Sequence, residues 1–189
     1  MVQPSMWDIV IKAAIVHTLT YFIVGAGAFY FFKYSERHAS PVLRSFMRQS
    51  DDPLVRAGPL FQPIRGILFG FIFYLLRDVF FLENNGWLVM WATLVVIGIV
   101  STFAPAPGSI EGFIYTKLTP SKSGIGGMIE VLTQSFLLSA LSYYWVKHPE
   151  LSWLNWALGT LFLISMALPV LGFLASKKTG NNISRKRLQ

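Results

Sequence analysis

Residues 87–103 read WLVMWATLVVIGIVSTF, a run with no charged side chain. An α-helix rises 1.5 Å per residue, so about 20 apolar residues cross the hydrocarbon core of a bilayer. This run is the plainest membrane segment in the chain, and the rest of the sequence is read outward from it.

Just upstream, Glu83-Asn84-Asn85-Gly86 is a tight turn made of residues that tolerate positive φ. Before the turn, Ile64–Leu82 is apolar except for Arg65, Arg77 and Asp78. The chain begins with another apolar run, Trp7–Phe32, interrupted by Lys12 and His17. Downstream come Ile125–Val146, which carries Glu130 and Gln134, and Leu151–Ala175, where Pro169 predicts a kink. Val146 to Leu151 is as short a connection as 83–86, and short connections make neighbouring helices antiparallel.

The expected fold is therefore an all-α integral membrane bundle of about five transmembrane helices. Residues 1–176 form one membrane domain and 177–189 a basic cytoplasmic tail. Composition agrees: 53% of the 189 residues are hydrophobic and 13% charged, against about a quarter charged in a soluble domain. A soluble surface built from this chain would carry large apolar patches. The first run is read as a retained helix and not a cleaved signal, because no Lys or Arg precedes it and it is long enough to span.

Two signals set the expected orientation. Twelve Lys and Arg residues lie in 33–56, in 117–122 and in 177–187, whereas the opposite connections carry only Lys147. Basic loops stay on the cytoplasmic side, which predicts a cytoplasmic C-terminus and an external N-terminus. Trp7, Trp87, Trp91, Trp145, Trp153 and Trp156 all fall near the predicted external ends, where indole prefers the head-group region. The expected location is a bacterial-type cytoplasmic membrane.

The net charge of +7 sits in segments flanking apolar runs. That pattern predicts contact with anionic lipid head groups at the cytoplasmic face and argues against nucleic acid. With no cysteine in the chain, disulfides, thiolate metal sites and cysteine nucleophiles are excluded. The segment Ser40–Arg48 predicts a short helix in the interface, with Val42, Leu43, Phe46 and Met47 on an apolar face, or else a plain polar connector.

Ionisable groups at membrane depth are costly, and they are paired or functional. Lys12 and Asp78 fall at similar depth and are expected to pair, with Arg77 reaching outward; a solute path is the alternative. His17, deeper, shares a helix face with Tyr21 and suits a hydrogen bond to a neighbouring helix or a proton relay. Arg65 and Glu130 lie near the inner ends of their spans and could pair across the bundle, with Gln134 one turn above Glu130. Residues 104–115 are rich in Pro and Gly and poor in charge. They read as a buried connector or as a re-entrant loop packed on 58–63. The candidate binding set is thus Arg65, Ser109, Glu111, Glu130 and Gln134.

Gly66 and Gly70 form a G-x-x-x-G pair, a device for close helix approach within a bundle or between two copies. No zinc, nucleophile-elbow or phosphate-loop motif occurs, and His17, His38 and His148 fall at three different depths. No catalytic residue, metal site or cofactor is assigned. Three functions remain open. One is a non-catalytic scaffold, assembly factor or small subunit of a membrane complex, with a homo-oligomer or another membrane protein as partner. The second is a small oligomeric transporter or channel using the inner polar cluster. The third is a membrane enzyme acting on a lipid-linked substrate.

Overall fold

The structure, a computed structural model, describes residues 4–44, 47–103, 106, 108–116 and 125–186; for Val42 and for 173–186 only the backbone is described. Among the described residues the chain is all-helical, with no strand. Helix α1 spans Met6–Phe31, and three short helices follow: α2 (Tyr34–His38), α3 (Pro41–Arg44) and α4 (Pro53–Arg56). A 3-10 turn, Gly58–Phe61, leads into α5 (Gln62–Leu75), and a π-helical segment, Asp78–Leu82, extends it. Helix α6 (Gly86–Val95) also continues as a π-helix, Val96–Val100. Then come α7 (Ile110–Tyr115), α8 (Ile125–Lys147) and α9 (Ser152–Lys186).

Among the described residues, four helical stretches are long and apolar enough to cross a membrane: Met6–Phe31, Gly58–Leu75, Ile125–Lys147 and Ser152–Gly172. The segment that reads most plainly in sequence, 87–103, is the short one. It has ten α-helical and five π-helical residues and ends in a turn at Ser101. Thr93 Oγ1 bonds the carbonyl of Val89 at 2.8 Å just before the π-helix, and such back-bonding loosens the helical ladder.

Helix α1 is the axis of the bundle. Of its apolar window 56% is buried, against 17%, 22% and 17% for the other three. It packs against α5, α8 and α9, while α6 leans on α8. Ser5 caps it by accepting from Asp8 N–H at 3.2 Å. It ends at Phe32, where Lys33 turns the chain with a left-handed backbone, φ 48°. That turn folds α2 back against the start of α8.

The G-x-x-x-G pair is used within the chain. A Cβ on Gly66 would lie 2.6 Å from Ala14 Cα, and one on Gly70 would lie 2.6 Å from Val10 Cα. No side chain fits at those separations, so α5 and α1 meet backbone to backbone.

The buried core comprises Ile9, Ala13, Val16 and Leu19 of α1, Phe73, Phe80 and Phe81, Met90, Leu138, Trp145 and Val146, and Leu154 and Leu158. It fills the end of the bundle that carries the 83–86 and 147–151 connections, hereafter the hairpin end. Tyr143 fastens that end by donating to the carbonyls of Glu83 and Asn84 at 3.0 and 2.9 Å.

Several expectations change. Trp145 is not an exposed belt residue. It is 4% exposed and donates to Asn155 Oδ1 at 2.6 Å, while Trp7, Trp153 and Trp156 are exposed. Of the 40–48 segment only the turn Pro41–Arg44 is helical; 45–46 lie outside the described residues, and Met47–Gln49 is not helical. Helix α9 keeps Pro169 within it and runs on as far as Lys186, so 177–186 of the predicted tail is helical in backbone.

Candidate functional site

The opposite end of the bundle holds several hollows among the described residues, and two of them matter most here. Both are built on α1 and α8. His17 and Tyr21 stand one turn apart on α1, and Gln134 and Glu130 stand one turn apart on α8.

The first cavity, about 620 Å³, lies between the last turns of α1, α2 and the 47–59 segment. Tyr21, Phe22, Phe29, Met47, Val55 and Pro59 give it apolar walls, and Tyr34, His38, Arg48 and Glu130 give it polar ones. Glu130 accepts a short hydrogen bond from the Tyr34 hydroxyl. Gly25 lies alongside this carboxylate, and a Cβ there would be in ordinary contact with Glu130 Oε1 at 3.7 Å. Arg37 stands beside the pair, its guanidinium 5.3 Å from the Tyr34 ring centroid. Burial first, and then the bond to Glu130, push the Tyr34 phenol well above its ordinary range. His38 stacks on Tyr34 with centroids 5.6 Å apart. Burial, followed by the Arg37 cation, holds its imidazole below the ordinary value. Arg48 is tied to Asp52 at 2.9 Å, and Asp52 also caps α4 through Leu54 N–H at 2.8 Å.

The second cavity, about 180 Å³, is a cleft among α1, α5, α6 and α8. His17, Arg65 and Gln134 are its main polar groups, against Phe69, Leu94, Ile99, Val131 and Leu138. His17 Nε2 lies 3.2 Å from Gln62 Oε1, and Gln62 Nε2 donates to the Gly58 carbonyl at 3.2 Å. Arg65 lies over the Phe69 ring, 5.5 Å from its centroid. The π-helical turn of α6 supplies Gly98 and Ile99 to the wall; π-bulges are frequent at functional sites.

The five candidate binding residues are thus divided. Arg65 and Gln134 share the cleft, and Glu130 faces the larger cavity. The pairing of Arg65 with Glu130 that the sequence allowed does not form; Tyr34 and Arg37, beyond the left-handed turn at Lys33, meet Glu130 instead. Ser109 caps α7: its Oγ accepts from Gly112 N–H at 2.9 Å and donates to the Ala106 carbonyl at 2.7 Å. Glu111 sits in the first turn of α7, where a carboxylate complements the helix dipole. A separate hollow runs from Ser109 and Gly112 to Met128 of α8. Of the 104–115 loop, 104, 105 and 107 lie outside the described residues.

Lys12 does not pair with Asp78. Its ammonium is 3.0 Å from the carboxylate of Asp8, one turn back on α1, and donates to the Trp145 carbonyl at 3.2 Å. A partner on the same helix face needs no second helix to be positioned. Arg77 donates to the Tyr74 carbonyl at 3.1 Å and comes within 3.9 Å of its neighbour Asp78, whose side chain is exposed. Among the described residues no group of His, Asp and Glu could hold a metal ion.

Tyr34, Arg37 and Gln62 are the contributors that sequence reasoning missed. Their only signal was polarity beside the end of an apolar run. No protein-family model, curated protein or solved structure matches this chain.

Proposed function

We propose that the chain is a multi-pass membrane protein with five crossings. These are α1, α5 with its π extension, α6 with its π extension, α8 and the first part of α9. The proposed orientation keeps the hairpin end outside and the basic segments, with the tail from 177, at the cytoplasmic face against anionic lipid. Within that frame the protein acts by binding, as a scaffold, assembly factor or small subunit of a membrane complex. The observation that supports this most is the direction of the side chains. Ile64, Leu68 and Leu75 of α5, Ile129 of α8, and Trp156 and Leu163 of α9 are all exposed, while Lys12, His17, Thr18, Ser139 and Ser142 are buried. Apolar groups outside and polar groups inside suit a hydrocarbon surround.

Because the chain has no cysteine, single-cysteine labelling starts from the native sequence. Asn84→Cys is expected to react with an impermeant maleimide added to whole cells, and Glu36→Cys only after the membrane is opened. The reverse pattern would overturn the orientation, and recovery of the chain in a detergent-free supernatant would overturn the membrane reading. Purification in mild detergent is expected to bring down a second membrane protein or further copies of this chain. A solitary monomer would count against the binding role.

A second reading, transport of a small solute, is supported by the cleft, which places polar groups at the depth of α5 and α8. Flux into vesicles, lost in Arg65→Ala, would favour it over the first.

A further inference from the structure

The cleft among α1, α5, α6 and α8 contains polar groups with unused hydrogen-bonding capacity of matching kinds. Gln62 is orientated by its donation to Gly58, so its carbonyl oxygen faces His17. His17 Nε2 must therefore carry the proton, and Nδ1 is left as a bare acceptor. That nitrogen is buried and has no partner, in a residue only 1% exposed. Leaving a buried acceptor unmet costs about 1–3 kcal/mol.

Arg65, itself exposed, sets a complementary cation at the edge of the cleft. It lies in the first turn of α5, which holds no acidic residue, where the helix dipole disfavours a cation. Among the described residues it has a ring contact with Phe69 and no ion pair. Gln134, also on the cleft wall, adds a carboxamide with no hydrogen bond to the protein among the described residues. Consecutive helices α5 and α6 pack on different partners, α1 and α8, which leaves the cleft between them. Its volume, about 180 Å³, is comparable to that of an apolar cavity able to take up benzene, about 150 Å³.

We propose that this cleft binds an oxyanion that carries a neighbouring hydroxyl. The anionic oxygens meet Arg65 and the Gln134 amide, the hydroxyl donates to His17 Nδ1, and the carbon frame lies against Phe69, Leu94 and Ile99. This chemistry has two sources: a small soluble hydroxy acid, or the glycerol phosphate head group of an anionic lipid entering between α5 and α6. The inference deepens the binding role and rests on the membrane reading.

The test uses the full chain with ¹⁵N-labelled histidine in nanodiscs of phosphatidylcholine, whose head group has a phosphate but no hydrogen-bond donor. His17 is assigned by comparison with His38→Gln and His148→Gln. Its Nδ1 is expected to resonate as a bare acceptor in these discs. It should move to a hydrogen-bonded position, saturably, either when glycolate is added or when phosphatidylglycerol replaces part of the lipid. Response to glycolate identifies a soluble acid; response to phosphatidylglycerol alone identifies the head group. Arg65→Gln and, independently, Gln134→Leu should weaken the response at least tenfold. No shift with either probe overturns the site, as does a shift unchanged in both variants. So does an Nδ1 already hydrogen-bonded without either probe, which would mean that water meets the need. Failure of the chain to enter nanodiscs would overturn the membrane reading and the site together, whereas a folded, inserted and unresponsive protein overturns the site alone.

Discussion

Gly66 rests directly on Ala14: a Cβ at position 66 would stand 2.6 Å from Ala14 Cα and 3.1 Å from its carbonyl oxygen. Backbone cannot yield as a side-chain tip can, so Gly66→Val and Gly70→Val must push α5 away from α1. The expected loss is about 1–3 kcal/mol each, the usual cost of overpacking, seen as a lower melting temperature in detergent. Gly159→Ala is the control, since nothing lies within 4 Å of a Cβ there. It should be neutral or slightly stabilising, since Ala favours a helix over Gly.

Lys12 is 7% exposed and depends on Asp8. Removing the carboxylate alone leaves a buried cation with one carbonyl partner, while removing the ammonium alone frees an Asp8 that water can reach. Asp8→Asn should therefore destabilise more than Lys12→Met, by roughly 1–2 kcal/mol given that Asp8 is partly solvated. The double variant should recover most of the loss. Thermal unfolding of the three proteins checks the order, and equal losses for the two single variants would contradict it.

Tyr34 and Glu130 join the chain beyond α1 to the first turns of α8. Tyr34→Phe keeps the ring over which Arg37 lies and removes only the donor. It should loosen α2 from α8, raising hydrogen exchange in 34–38 while leaving the hairpin end unchanged. The raised phenol adds a sign that can be checked. A folded pKa above the unfolded value of about 10 gives stability that is full below about pH 10 and lost as pH rises toward the folded value. The native chain should thus show phenolate absorbance that appears late in an alkaline titration, and Tyr34→Phe should lose part of that late amplitude.

What the sequence made legible follows the period and the cost of charge. The long apolar runs, the two short connections and the G-x-x-x-G contact could be read because each depends on neighbours in the chain or on a single residue type. The partners of the polar groups could not. Similar depth pointed Lys12 to Asp78, whereas helix-face geometry favours Asp8, one turn back on the same helix. Glu130 was assigned to Arg65 because both end a span, but a single left-handed residue, Lys33, redirects the chain and brings Tyr34 instead. Trp145 had the composition of an interface residue, and only the packing of α9 reveals Asn155 as its acceptor. The π-helix after Val95 left no mark beyond a Thr and a β-branched run.

His38 makes the 34–61 segment sensitive to mild acid. Its Nδ1 is buried without a partner, its carbonyl accepts from Gln49 at 3.0 Å, and its ring is stacked on Tyr34. Burial and the adjacent Arg37 cation both disfavour the imidazolium, so the folded pKa lies below the ordinary value of about 6.5. Above that value both folded and open segments are neutral and the packing is at full strength. As pH falls below it, the open segment takes up a proton that the folded one refuses, and stability is lost until the folded pKa is reached. Asp52, whose carboxyl is held low by Arg48, loses its contribution only in a far more acidic range. Melting between about pH 7.5 and pH 5 therefore avoids the Asp52 range. Stability should decline over that interval in the native chain and decline less in His38→Gln, which cannot take up the proton. Parallel curves for the two proteins would mean that some other group is responsible.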